Sequence, residues 1–203
     1  MLFRSFSLLT PRAALIASVS EKLTIKAIYS KAFRTPAPTE LFGVNTYTLA
    51  SNIDQLKPEV VNSADLAVDY SISKNVNLKI NAFWVNFENQ IAYSTANANL
   101  STNIYTLQSA GIETEMLFTT NVINGFLNFT WVKRLDETIK DTTIAISKDE
   151  VTWVPPFYAN FGIVYPTKKV DIALMGHYRD KTNRRTSDAA PGRSSKLDAW
   201  FNL

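Results

Sequence analysis

The sequence predicts an all-β protein, an antiparallel meander of about nine strands that turns one face to an apolar phase and the other to a polar one. Three observations lead there. Apolar residues recur at alternate positions along most of the chain, the connections between those segments alternate between short and long, and aromatic residues gather near both ends of the apolar faces. No helical three-four periodicity of useful length competes, so helices are at most short pieces within loops.

The strands follow in order. Residues 13 to 19 fit the alternation loosely, and Leu23, Ile25, Ala27 and Tyr29 mark the next strand. That strand runs to Phe33 and is stopped by Pro36 and Pro38, since proline has no N–H to give to a ladder; "PTELF" then suits a single helical turn. The clearest segment, "NSADLAVDYSIS", sets Ala64, Leu66, Val68, Tyr70 and Ile72 against Ser63, Asp65, Asp69, Ser71 and Ser73. In "NVNLKINAFW", Val76, Leu78, Ile80, Ala82 and Trp84 oppose Asn77, Lys79 and Asn81. Similar alternation covers residues 110 to 118, 127 to 131, 157 to 165, 170 to 178 and 197 to 203.

Short connections fall at residues 20 to 22, 73 to 75, 120 to 125 and 166 to 169, each rich in polar or turn-forming residues. Long ones fall at 35 to 58, 90 to 103, 134 to 156 and 180 to 195. Tight turns at one end and large loops at the other are the layout of an outer-membrane barrel, with its short periplasmic turns and long outer loops. With the short turns on the periplasmic side, Tyr70, Phe118 and Tyr165 lie near that boundary, and Tyr29, Trp84, Trp131 and Tyr178 lie near the other. Aromatic rings at two boundaries suit two lipid–water interfaces. The competing arrangement packs these rings into the core of a soluble or surface-attached all-β binding module, for example one for carbohydrate adhesion. Against it, the opposite faces carry Asn, Asp, Lys and Glu almost throughout.

Composition sets the outer limits. The chain has 203 residues, 46% of them hydrophobic and 19% charged, which is too apolar for a disordered protein. Its formal net charge of +3, with no run of five like charges, supplies no field to gather nucleic acid. There is no cysteine, which excludes disulfide frameworks and thiolate metal sites. No apolar run approaches the roughly 18 residues a membrane helix requires, so a membrane role must rest on strands. Pro11 and Arg12 divide the apolar N-terminal stretch, which therefore reads as a first strand and not as a signal peptide.

Five segments, "PRAAL" at 11 to 15, "YSKAFRTPAPTEL" at 29 to 41, "LKPEVVNSADLAVDY" at 56 to 70, "FWVNFENQIAY" at 83 to 93 and "AGIETEM" at 110 to 116, keep the order and spacing of their counterparts in one family. The chain resembles the TonB-dependent outer-membrane receptors over almost its whole length. Asp65 stands where such receptors more often carry Glu, which keeps an inward acid in place. The resemblance implies a 22-stranded barrel with a plugged lumen, reached by the TonB system through its plug and importing siderophores, cobalamin or similar scarce nutrients. It also implies that residues 1–203 are one partial barrel domain, lacking the plug and the last two strands. Such a piece is expected not to transport alone, because its two sheet edges leave backbone groups that lipid cannot satisfy. Expected partners are outer-membrane lipid and lipopolysaccharide, and a small-molecule ligand such as a metal chelate; no cofactor is implied.

Few residues suggest chemistry. His177, the only histidine, shares the polar face with Asp171 and Arg179, with no serine nucleophile in reach of the pattern, and reads as a lumen histidine. Glu113 and Glu115 lie on one face of one strand, whereas glycosidase carboxylates flank a sugar from separate supports; they read as solvated lumen charge opposed by Lys79 or Lys133. The chain is therefore expected not to be an enzyme. Candidate ligand contacts are Arg34 just ahead of the first long connection and Tyr47 within it, His177 and Arg179 on the polar face, and Arg184 and Arg185 in the most basic loop, "RDKTNRRTSDAAPGRSSK". No histidine follows Phe33 before Pro58, which disfavours a haem ligand.

Overall fold

The computed structural model describes residues 5–42, 56–94, 100–139, 154–183 and 196–203. Its strands are β1 (Arg12–Ser20), β2 (Leu23–Arg34), β3 (Glu59–Ser73), β4 (Val76–Ser94), β5 (Leu100–Thr119), β6 (Asn124–Ile139), β7 (Phe157–Pro166) and β8 (Asp171–Arg179). Three short strands follow, β9 (Thr182–Asn183), β10 (Lys196–Leu197) and β11 (Trp200–Asn202), and the one helix among the described residues is α1 (Pro38–Phe42). Nine strands form one antiparallel sheet in the order β1-β2-β3-β4-β5-β6-β7-β8-β11, with β1 and β11 at its open edges, and β9 pairs with β10 apart from it. The meander predicted from alternation is therefore present, and no helix among the described residues is long and apolar enough to cross a membrane.

Each short turn starts with a hydroxyl that takes a turn N–H. Ser20 Oγ accepts from Lys22 at 3.2 Å, Ser73 Oγ from Asn75 at 3.2 Å, Thr120 Oγ1 from Ile123 at 2.9 Å and Thr167 Oγ1 from Val170 at 2.9 Å. This repeated bond satisfies a donor that the reversal takes out of the ladder, and the up-and-down order of the strands sets all four turns at the same end of the sheet.

Among the described residues no second layer covers the apolar face: Leu66 is 52% exposed and Leu174 47% exposed. Leucines in a soluble sandwich core would be dry, so a face of this kind needs an apolar solvent. The register places Tyr29, Ala64 and Trp84 in one row across β2, β3 and β4, and Tyr29 Oη donates to Asn62 Oδ1 at 3.3 Å on the side of the row toward the long loops. A ring in the row with a polar partner beyond it marks the upper boundary of the apolar band.

Four glycines set the closeness of neighbouring strands. Gly111, Gly125, Gly162 and Gly176 lie directly opposite Phe83, Phe118, Phe126 and Phe161, and each ring covers the position a Cβ would take. The glycine leaves the space and the ring across the strand fills it.

Three predicted boundaries shift. The long connection expected at residues 90 to 103 shrinks to 95–99, because β4 continues to Ser94 and β5 begins at Leu100. The ladder survives there through an irregularity between Phe87 and Ile91, with Asn89 at φ 60°. Likewise β6 extends to Ile139, past the expected end at Arg134. At 19 and 20 residues, β4 and β5 are about twice the 9–11 residues that cross a bilayer. Their outer halves extend above the apolar band, where burial follows contacts within the rim (Ile91 and Ile104 are each 8% exposed) and alternation has no reason to persist. In the opposite direction, the C-terminal strand expected over 197 to 203 joins the nine-stranded sheet only over Trp200–Asn202, while Leu197 pairs with Thr182 of β9.

Candidate functional site on the inner face and outer rim

The inner face carries a polar row that crosses every strand of the sheet. Ser18 lies opposite Thr24, Thr24 opposite Asp69, Asp69 opposite Lys79 and Lys79 opposite Glu115. The row continues through Asn128 and Asn160 to His177 and Asn202. Nine strands thus contribute nine hydrophilic side chains at one level, as a water-filled interior requires. A groove of about 540 Å³ lies over this row between Lys26 and Thr130. Lys79 Nζ meets Glu115 Oε1 at 2.9 Å with both side chains largely exposed, so the pair contributes at most about 1 kcal/mol. Lys133 does not join them: it lies opposite Ala110 on the apolar side of the sheet, one step beyond the girdle residue Trp131. Nor is the inner face polar to its top. Toward the long loops, Phe83, Val85, Phe87 and Leu107 share that side with Ser63 and Ser109.

His177 Nδ1 pairs with Asn160 Oδ1, and its ring lies 5.4 Å from that of Trp200, tilted by 57°. Arg179 is flanked by Tyr158 and Trp200 on the neighbouring strands, and its Nε is buried without a hydrogen-bond partner. These two residues line a groove of about 480 Å³ with Leu197, Asp198 and Trp200. Imidazole, guanidinium and indole thus stand together at one edge of the sheet. Trp200 is the member that alternation missed, since only the β8–β11 register brings it beside Arg179.

Arg34 is placed differently. Its Nε donates to Glu59 Oε2 at 2.5 Å, and its two terminal nitrogens donate to Glu40 Oε2 and Oε1 at 3.0 Å each. Glu40 Oε2 also accepts the Ala37 N–H at 2.6 Å, so it closes the N-terminus of α1 behind Pro38. Glu59 Oε1 accepts the Ile91 N–H at 2.8 Å. Beside them Asn103 takes the Lys57 N–H at 2.8 Å and donates to Lys57 O at 2.9 Å and Asn89 O at 2.6 Å. Leu56, 1% exposed, is the largest fully buried side chain among the described residues. This rim, and not the apolar band, holds the water-excluded core of the chain.

The Arg34 guanidinium, and secondarily the Ile91 N–H, hold the Glu59 carboxyl below its ordinary value of 4.5, against the opposing effect of burial. Two carboxylates hold the Arg34 proton even more firmly than usual. A carboxyl with a depressed folded-state pKa contributes stability that is present above the unfolded value and lost as pH falls through the folded one. The rim is therefore expected to be intact at neutral pH and to loosen only when the pH drops below 4.5, with no loosening on the alkaline side that arginine can reach. Amide exchange at Ile91 measured as a function of pH checks this, after correction for intrinsic exchange.

A second network lies on the inner side of β5 and β6. Arg134 bonds Glu137 at 2.8 Å, and Tyr105 Oη donates to Glu137 Oε1 at 2.6 Å, with the Glu137 side chain 0% exposed. Burial first, then the Glu137 carboxylate, pushes the Tyr105 phenol up. Tyr47, Arg184 and Arg185 lie outside the described residues. The structure thus brings His177 and Arg179 together, and sets Arg34 apart in the rim. Among the described residues no three His, Cys, Asp or Glu side chains gather as a metal site would require.

A two-faced sheet with an uncovered apolar side, aromatic boundaries and a polar inner row is the wall of a transmembrane β-barrel. The sequence profile described as TonB dependent receptor-like, beta-barrel matches residues 3–203, and the chain belongs to this family. Such barrels are outer-membrane proteins of Gram-negative bacteria, and that is where this chain resides. Three similar solved structures are the ferric-catecholate import receptor Fiu of E. coli K12, the FrpB iron transporter of Neisseria meningitidis and the siderophore receptor PirA of Acinetobacter baumannii. Fiu has a TM-score of 0.70 at 14% identity, over 96% of this chain and 27% of its own. FrpB has 0.70 at 13%, over 95% and 30%, and PirA has 0.66 at 17%, over 95% and 33%. The chain thus spans at most a third of the length of these receptors. No individually curated protein matches the sequence.

Proposed function

We propose that this chain is a wall segment of a receptor that imports a scarce nutrient across the outer membrane, with a ferric chelate as the favoured ligand class. The polar row across all nine strands carries the reading, because a membrane sheet has no use for such a row unless water or a solute passes beside it. The three similar receptors are an iron transporter, a ferric-catecholate importer and a siderophore receptor by their own descriptions. In this reading the outer face meets lipid and the basic outer loop meets lipopolysaccharide, while a plug domain elsewhere in the receptor couples the barrel to TonB. His177 and Arg179 contact the ligand from the wall, and Tyr47, Arg184 and Arg185 contact it from the outer loops. A guanidinium beside an indole suits an anionic, ring-bearing chelate.

The test uses the intact receptor containing this chain, in a host lacking its own iron-chelate receptors, with a radiolabelled ferric tris-catecholate. Uptake is expected to require the receptor, and Arg179→Gln to weaken ligand binding by about tenfold, or about 1.4 kcal/mol. Absence of receptor-dependent uptake for catecholate and hydroxamate chelates alike would overturn the reading.

A further inference from the structure

We infer that Arg34 is a positioning residue: it ties α1, the start of β3 and the bent outer part of β4 into one rigid rim, and it contacts no ligand itself. The inference draws on the receptor reading only for the side of the membrane on which this rim stands.

The geometry carries it. Arg34 is the last residue of β2, Glu40 lies in α1, and Glu59 is the first residue of β3. Three N–H groups of one guanidinium reach two carboxylates on two elements, and Glu59 passes the connection on to the Ile91 N–H beyond the β4 irregularity. The Glu40 carboxylate is engaged by both terminal nitrogens while also holding the Ala37 N–H. A planar fork of fixed donors can bridge two carboxylates in this manner; a lysine ammonium, a compact point charge, cannot reproduce it. The charge balance points the same way. One cation faces two anions, so the cluster is net negative and has no spare positive charge for an anionic chelate. Next to it, Asn103 binds both backbone groups of Lys57 and the carbonyl of Asn89, whose φ of 60° is unusual for a residue other than glycine. The two networks flank Leu56 and Glu59, so loss of one should release the chain that enters β3.

Amide hydrogen exchange in the intact receptor, held in outer-membrane vesicles without ligand, tests the inference. In Arg34→Gln, exchange at Ile91 and Lys57 is expected to quicken by about tenfold, with Leu66 in the membrane band unchanged. Glu59→Ala should do the same, and the double variant should exchange no faster than Glu59→Ala alone, because both changes break one connection. Arg34→Lys should not restore protection. If Arg34→Gln fails to assemble, Glu40→Gln, which weakens only the α1 arm, is expected to quicken exchange at Leu41. Unchanged exchange at Ile91 in Arg34→Gln, or single effects that simply add in the double variant, would overturn the assignment. So would a raised KM for the ferric chelate in Arg34→Gln with exchange at its original rate. Since the exchange is read without ligand, failure of the import reading would leave this result standing.

Discussion

A receptor carrying Gly162→Ala is expected to lose about 1–3 kcal/mol of stability, and removing one ring on the neighbouring strand should return part of it. A Cβ at Gly162 would lie 2.5 Å from Phe126 Cε1 and 3.0 Å from Phe126 Cζ, and its nearest contacts are all with that side chain. Phe126→Ala opens the space, so the two substitutions should couple favourably by about 1 kcal/mol or more. Gly125→Ala makes the contrast. There the added methyl would meet the carbonyl oxygen of Gly162 as well as the Phe118 ring, and a backbone oxygen in a ladder cannot turn aside. Phe118→Ala should therefore fail to rescue Gly125→Ala. Urea unfolding of the receptor in lipid vesicles measures all six variants, four single and two double. Equal behaviour of the two glycines would show that the close strand approach is not what they provide.

The second large effect concerns which side of the sheet meets lipid. Leu66→Arg places a charge in the middle of the apolar face and is expected to cost about 2–4 kcal/mol, as arginine does on the lipid side of a barrel near the bilayer midplane. Leu174→Arg, in β8 and five strands further along the meander than Leu66 in β3, should behave alike. Asn81→Lys, on the inner face between Ala67 and Glu113, should cost less than about 1 kcal/mol, since water and two nearby carboxylates, Asp65 and Glu113, receive the ammonium. The same unfolding measurement applies. Equal costs on the two faces would remove the basis for placing this sheet in a bilayer.

Much of this was legible in the chain itself. "NSADLAVDYSIS" and "NVNLKINAFW" assign their side chains to two faces because a strand has a period of two, and lipid on one side with water on the other keeps that period sharp. The same physics explains the failure at "NQIAYSTANANLSTN". Above the apolar band no lipid on one side enforces the period, and Ile91 and Asn103 are instead buried in the rim, so a strand there looks like a loop. Lys133 shows the complementary error, because a charged residue was expected on the inner side although strand parity places it outside, where a long stem lets the ammonium reach water above the girdle.

Sequence alone determined which residues alternate, where the chain turns and which boundary each aromatic marks, since these follow from local periodicity and from residues only a few positions apart. Tertiary structure decided the rest: the row from Ser18 to Asn202, the ring over each glycine, the Trp200 beside Arg179, and the two carboxylates that occupy Arg34. Apart from Glu40, which reaches Arg34 from the helical turn six residues on, each of those depends on register between strands, and register is set by pairing over distances that no local pattern records.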